Sequence, residues 1–284
     1  DQLINDLING APDALNTLNE LAAALDDNDS EIAALLTAIN LRLTQAQADA
    51  RYVQLTNQRN NNIIINGNFS INQREVVGTV VLAAGEYGHD RFRAGSGGCT
   101  YTFSTSANIT TLTISAGTLE QEIEGINLSS GDHILSWVGT AQGRIDGGTY
   151  EGSGVSSILT GGINTIVEFN TGTLSLVQLE KGSKVTEFNY RNIAEELVLC
   201  ERYFISIAAL NGTAYPRITN SVTENRHFVA QFSTTMRVPP TLLNIVATSG
   251  FSVSATTRSV TFGWGSVGAG TAKTAQSLDA DAEL

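Results

Sequence analysis

The sequence predicts a mainly β protein with an N-terminal α-helical coiled-coil stem. Two observations support this: apolar residues recur at heptad spacing before residue 60, and short alternating apolar segments follow from residue 63. We expect three domains, namely a helical stem over 1–60, an antiparallel, jelly-roll-like β-sandwich over 61–192, and a smaller C-terminal β domain over 193–284.

The first 60 residues are predicted to form two helices. Pro12 suits a first helical turn, where no backbone N–H is needed. The polar run "DDNDS" at 26–30 interrupts the apolar spacing, and Asp29 or Ser30 is a candidate N-cap for the second helix.

The second predicted helix has a narrow apolar seam whose members alternate four and three residues apart. They are Ile32, Leu36, Ile39, Leu43, Ala46, Ala50 and Val53. Leucine at heptad position a with isoleucine at d favours trimers or tetramers over dimers. We therefore expect the seam to bury itself against other copies of the chain. The alternative is an amphipathic helix that lies on its own domain.

The β regions are predicted from alternating segments that Gly, Asn and Ser separate. Six such segments, with no helix between them, fall at 99–106, 110–116, 119–126, 133–140, 164–170 and 173–180. This spacing is typical of an antiparallel sandwich. A short helix is expected over 193–204. Further strands are expected at 227–234, 242–249, 251–257 and 259–265, and the acidic tail "SLDADAEL" is expected to be loosely ordered.

Composition limits the possible functions. The net charge is −12, so the whole chain does not resemble a nucleic-acid binder. Two cysteines, Cys99 and Cys200, permit one disulfide without requiring it, and no Cys/His cluster has metal-ligand spacing. No apolar run reaches the ~20 residues that cross a bilayer. We expect no cofactor, no metal and no membrane insertion.

Five segments resemble bacteriophage tail-fibre proteins. They are "LNTLNELAAAL" (15–25), "IINGNFSINQR" (64–74) with "HDRFRA" (89–94), "LEQEIEG" (119–125), "VQLEKGSKVTEFNYRNIAEELVLCERYF" (177–204) and "FSTTMRVPPTL" (232–242). The resemblance covers most of the chain in the expected order. It implies a fibrous, usually trimeric virion component whose distal domains contact the host surface.

Catalytic chemistry finds little support in the sequence. Glu120, Glu122 and Glu124 alternate along one predicted strand face, about 7 Å apart, which suits a glycosidase pair or a calcium ion. A solvated strand face is the simpler interpretation. His89 and Asp90 are sequence neighbours on a strand, so they point apart. We expect no enzyme activity.

Sugar binding requires exposed aromatic rings beside polar groups. Trp137 and Tyr150 are weaker candidates, and Trp137 in particular fits a strand core. Residues 201–278 carry six basic and two acidic side chains, and basic groups suit an acidic envelope glycan. The predicted receptor-binding residues are Tyr215, Arg217, Arg226, Arg258 and Trp264.

These patterns together favour a homotrimeric phage receptor-binding fibre in the virion, made in the host cytoplasm. Its predicted partners are other virion proteins at the N-terminus and a host surface glycan or envelope receptor. Two alternatives stay open: a structural virion fibre without a receptor role, such as a head fibre or baseplate component, and a polysaccharide depolymerase.

Overall fold

The structure is a computed structural model, and it describes residues 1–40, 62–207, 226–247, 251–264 and 275–283. The chain divides into two compact units, Asp1–Gln58 and Arg59–Leu284. In the described residues the protein is mainly β, and every strand pairing is antiparallel.

The N-terminal unit contains one helix, α1, which runs without interruption from Gln2 to Asn40. The predicted break at 26–30, with an N-cap at Asp29 or Ser30, is therefore wrong. Asp, Asn and Ser each cost well under about 1 kcal/mol in a helix interior, and that is too little to force two new helix ends. The placement of Pro12 in a first turn is also wrong, because Pro12 lies inside α1.

The larger unit begins with eight strands that share one hydrophobic core. They are β1 (Thr79–Leu82), β2 (Arg93–Ser106), β3 (Ile109–Ile123), β4 (Gly131–Val138), β5 (Gly143–Ile145), β6 (Val155–Leu159), β7 (Thr165–Phe169) and β8 (Gly172–Lys181). The strand order is β1-β2-β3-β8-β4-β6, and β7 joins β3 to β5. All six segments predicted to be strands overlap strands of this set.

Two of those predicted segments, 110–116 and 119–126, belong to the single strand β3. Gly117, which lies between the two segments, adopts a left-handed φ of 71° opposite a register shift in β2. A Cβ at this position would lie 2.0 Å from the carbonyl oxygen of Gly98. Glycine therefore allows the strand to continue through a bulge.

The core follows the alternation of apolar residues along the strands. In β8, Leu174, Val177 and Leu179 are fully buried. Trp137 of β4 is also buried, packs edge-on against Phe169, and donates a hydrogen bond from Nε1 to the Ala141 carbonyl oxygen at 2.9 Å. The expectation that Trp137 belongs to the core is confirmed.

A buried asparagine organises the segment that precedes β1. Asn66 has a left-handed φ of 60°, and its side-chain amide donates to the carbonyl oxygens of Ile71 and Asp90. Its Oδ1 accepts the Ile71 N–H at 2.9 Å. The Asn66 N–H in turn donates to the buried carboxylate of Glu196. Through its side chain and its backbone, Asn66 thus joins the 62–74 segment to two later parts of the chain.

The C-terminal part contains one short helix and six strands. They are α2 (Ile193–Glu201), β9 (Phe204–Ile207), β10 (Arg226–Gln231), β11 (Thr241–Ala247), β12 (Phe251–Ala255), β13 (Ser259–Trp264) and β14 (Ala275–Asp281). The strands form two three-stranded sheets, β10-β13-β12 and β11-β14-β9. Asn192 caps α2, since its side chain accepts the Ala194 N–H.

The expectation of a loosely ordered acidic tail is wrong for its described residues. Strand β14 is the central strand of its sheet, with Leu278, Ala280 and Ala282 buried beside it. The Ala282 N–H donates to the Tyr203 carbonyl oxygen at 2.7 Å. The alternating acidic side chains occupy the other face of the strand, so the tail is a half-buried strand rather than a solvated end.

Several contacts join this C-terminal part to the eight-stranded part. Gln73 donates to the Phe204 carbonyl oxygen at 2.9 Å, and Arg237 lies 3.8 Å from the Glu124 carboxylate. Both parts belong to the unit Arg59–Leu284. The predicted boundary between 192 and 193 stays a prediction.

Candidate functional sites

The first candidate site is the apolar side of α1. Ile32 and Leu36 are 48% and 55% exposed, and Leu25 and Leu21, which lie about two and three turns before Ile32 on this side, are also exposed. A helix normally buries such a stripe. The side chain of Ile39 is not described, and Leu43, Ala46, Ala50 and Val53 lie outside the described residues. The part of the seam that the structure describes is uncovered in the single chain.

The predicted receptor-binding residues are only partly described. Tyr215 and Arg217 lie outside the described residues. Arg226 of β10 pairs in register with Trp264 of β13, although their side chains are not described. Arg258 is exposed in the turn before β13, six residues from Trp264, which corresponds to roughly 20 Å along an extended strand. The structure therefore brings Arg226 and Trp264 together and leaves Arg258 apart.

The second candidate site is a charged row across four strands. Strand register aligns Arg93 with Glu120, Glu120 with Glu168, and Glu168 with Arg144. Arg93 Nε donates to Glu120 at 2.8 Å, and Arg144 Nη2 donates to Glu168 at 2.7 Å. The outer cations thus neutralise the two inner carboxylates.

Tyr150 completes one end of this row. Its hydroxyl donates to Glu168 at 2.8 Å, and the Arg144 guanidinium lies over its ring at 4.4 Å. Burial opposes ionisation of Glu168, but the hydrogen bonds from Tyr150 and Arg144 outweigh it and lower its pKa. Glu168 is therefore a stable anion at neutral pH and is poorly suited to act as a general acid.

The three alternating glutamates do not form the pair or cluster considered from the sequence. Glu122 accepts from Arg93 at 3.0 Å and from Asn164 at 3.0 Å, while Glu124 pairs with Arg202 at 3.1 Å. Within the described residues, no group of acidic, histidine or cysteine side chains is arranged to hold a metal ion. The simpler interpretation, a solvated face, is also wrong, because these partly buried carboxylates are ion-paired.

The side chains of His89, Cys99 and Cys200 are all buried. The Tyr101 hydroxyl oxygen accepts a hydrogen bond from the backbone N–H of His89 at 3.2 Å. The hydroxyl proton of Tyr101 is therefore available to the ring Nδ1 of His89 at 3.0 Å. Burial lowers the pKa of His89 to about 4. Cys99 and Cys200 are both free thiols in this structure.

The side chains of Arg91 and Glu283 are both buried, and they form an ion pair. The Arg91 guanidinium stacks 3.5 Å from the Tyr203 ring centre and donates from Nη2 to the Glu122 carbonyl oxygen at 2.7 Å. Arg74 lies 3.4 Å from the same glutamate. Burial acts against the Arg91 charge, but its attraction to Glu283 prevails and raises the pKa of Arg91.

The third candidate site is a cleft of about 840 Å³ beside this ion pair. One wall is apolar and includes Val77, Val80, Val81 and Leu82, while the other carries Asp279, Asp281 and Glu283. Glu75, Glu86, Tyr87, Phe204, Leu243 and Asn244 also contribute to the lining. Arg74 lies between the Phe204 and Tyr87 rings, 3.7 and 5.1 Å from their centres. Five acidic residues against one basic residue make the cleft strongly anionic.

Comparison of the chain with protein-family models, with curated proteins and with solved structures finds no match. Among the residues that the structure describes, no helix has the length and apolar character needed to cross a membrane.

Proposed function

We propose that this chain is a bacteriophage tail-fibre or receptor-binding protein that attaches the virion to the host surface as a homotrimer. Its stem is a coiled coil built on α1, followed by a jelly-roll-like sandwich and a small β tip. The observation that carries the proposal is the row of exposed apolar side chains along α1.

Self-association is the simplest way to cover that row. Each Leu or Ile side chain that passes from water to an apolar contact contributes about 1.5–3 kcal/mol. Leu25 lies seven residues before Ile32 and Leu36 lies four residues after it, so these three fit one coiled-coil seam, and Leu21 lies beside it. A three-stranded assembly would bury the row on every chain at once.

The strand arrangement supports a sandwich. Strand β8 pairs with β3 through Gly172–Leu174 and with β4 through residues 175–181, so it takes part in two sets of pairings. Side chains from all eight strands meet in one core. Strands that leave one sheet to join another around a common core are typical of jelly rolls.

The proposed activity is adhesion to an acidic envelope polysaccharide through the C-terminal residues Tyr215, Arg217, Arg226, Arg258 and Trp264. Three identical weak contacts on one particle give strong attachment, because the second and third contacts form at a high effective concentration. Stem and tip thus depend on each other: the tip supplies the contact and the stem supplies the valency.

The test compares binding of three purified full-length proteins to an array of bacterial envelope polysaccharides. The Ile32→Asp/Leu36→Asp variant places charges in the seam. The matched Ser30→Asp/Thr37→Asp variant adds the same charges seven residues apart at outward heptad positions. We expect the wild type and the matched control to bind an acidic glycan and the seam variant to lose at least tenfold in apparent affinity.

Two results would reject the proposal. Equal binding by the seam variant would show that valency from α1 is not used. Release of new reducing ends from the bound glycan would reveal a depolymerase rather than an adhesin.

A further inference from the structure

The anionic cleft lies along the edge of β1. Val80, Val81 and Leu82 are consecutive, so their side chains alternate between the two faces of the strand, yet all three line the cleft. Because the cleft contacts side chains on both faces of β1, it runs along the edge of the strand. Within the described residues, β1 pairs only with β2, so the edge that faces the cleft has no strand partner.

This edge is also apolar. Val77 and Val81 are 78% and 70% exposed on the lining of the cleft. A solvent-accessible edge strand that presents valines favours pairing with another extended chain, and proteins usually protect such edges with charges or proline. Strand β1 itself carries no charged residue: Glu75 and Glu86 flank it in the sequence, and Asp279, Asp281 and Glu283 stand across the cleft.

The opposite wall carries carboxylates at the repeat of an extended chain. Asp279, Asp281 and Glu283 occupy every second position, so they share one face at intervals of about 7 Å. Arg74 pairs with Asp281 and Glu283, whereas Asp279 accepts a hydrogen bond from the neutral Asn244 amide at 2.7 Å. Glu86 accepts a hydrogen bond from the Ala83 N–H. Asp279 and Glu86 have no ion-pair partner among the described residues.

We propose that the cleft binds an extended peptide segment in which basic and apolar residues alternate, as an added strand on β1. Its main chain pairs with the β1 edge, its apolar side chains contact Val77 and Val81, and its cations face Asp279 and Glu86. Pairing with an exposed sheet edge supplies main-chain hydrogen bonds, and alternate side chains of the bound segment supply specificity. This inference is independent of the proposed adhesive function.

A basic sugar fits the cleft less well. Sugars stack on free aromatic faces, whereas Tyr87 and Phe204 each have the Arg74 guanidinium over their rings. The remaining apolar wall is aliphatic and lies along a strand edge, which suits a main chain.

The experiment measures fluorescence anisotropy of labelled peptides with the full-length protein. The probe is a seven-residue peptide with alternating arginine and valine between terminal alanines. A second peptide has the same side chains and charge, with N-methyl groups on the backbone amides that would pair with β1. We expect the first to bind in a saturable manner and the second to bind at least roughly tenfold more weakly, because several main-chain hydrogen bonds are lost.

Variants locate the site. We expect the Asp279→Asn/Glu86→Gln protein to bind the first peptide roughly fivefold more weakly. Asp132→Asn/Glu151→Gln is the matched control, since it removes the same two charges at exposed residues that do not line the cleft, and this variant should bind like the wild type.

Three results would overturn the proposal. They are no saturable binding of the first peptide, equal binding of both peptides, and equal loss of affinity in the control variant. Tighter binding of a glucosamine oligomer than of the peptide, with the same dependence on Asp279 and Glu86, would assign the cleft to amino sugars instead.

Discussion

Replacing Glu283 with glutamine tests the buried ion pair that joins β14 to the eight-stranded part. The substitution keeps the shape and hydrogen-bonding capacity of the side chain and removes its charge. Arg91 is only 2% exposed and would remain inside the protein without a contacting anion. The loss of one member of such a pair costs about 3–5 kcal/mol. Because glutamine still accepts a hydrogen bond, we expect the lower end, about 3 kcal/mol.

Thermal unfolding of the full-length chain measures this loss. For a unit of this size each kcal/mol lowers Tm by about 2–4 °C, so Glu283→Gln should unfold roughly 6–12 °C below the wild type. Fluorescence of the buried Trp137 reports on the eight-stranded part of the same unit. Glu151→Gln, a change at an exposed side chain, is the control and should shift Tm by no more than about 1–2 °C.

A double variant separates charge from packing. Arg91→Met/Glu283→Met removes both charges and keeps comparable volume, so it should recover most of the stability lost in Glu283→Gln. A loss below about 1 kcal/mol in Glu283→Gln, or a double variant that is less stable still, would refute the view that an uncompensated Arg91 charge is the cause.

Three further predictions concern buried polar groups. Burial lowers the pKa of His89 from 6.5 to about 4. The contribution of the neutral imidazole to the free energy of unfolding is therefore complete above pH 6.5 and is lost as the pH falls from 6.5 to about 4. The wild type should lose about 2.5 kcal/mol more than His89→Phe between pH 7.5 and pH 4.5 in urea titrations, and parallel losses would contradict this. Burial raises the pKa of Cys99 to about 11 and also raises that of Cys200. Both thiols should therefore resist a thiol reagent at pH 8 until the protein is denatured, and rapid labelling of the native protein would show that one of them is accessible. Asn66→Ala should cost about 3 kcal/mol or more, since it removes three buried side-chain hydrogen bonds and strains a left-handed residue. Asn66→Gly should be about 1 kcal/mol less destabilising than Asn66→Ala, and equal losses would exclude the backbone contribution.

The strands were predictable where local alternation decides the structure. The segment 173–180 alternates apolar and polar residues except at Leu176–Val177, and it lies within β8. The β14 strand has an equally regular alternation of Leu278, Ala280 and Ala282 with acidic residues. Its acidic composition suggested a solvated tail, because the groups that stabilise it, Tyr203 and Arg91, come from distant parts of the sequence.

The charged sites were less predictable for the same reason. The spacing correctly gives Glu120 and Glu122 one shared face of β3, whereas Glu124 lies just beyond the end of that strand. The partners of all three depend on the positions of other parts of the chain. Arg93 reaches Glu120 and Glu122 from β2. No local pattern states that a carboxylate will meet an arginine rather than a second carboxylate or a metal ion.

Helix α1 shows a different limit to what the sequence predicts. Its apolar spacing was visible, whereas its continuity through 26–30 was not, because weak local preferences do not determine where a long helix ends.

The mass of the full-length wild-type protein in solution tests the central proposal most directly. Sedimentation equilibrium at physiological salt should give about 90 kDa, three times the chain mass of 30.1 kDa, and the Ile32→Asp/Leu36→Asp variant should give the mass of one chain. A wild-type protein that sediments as a single chain at micromolar concentration would contradict the account, because the exposed row on α1 would then have no partner copy.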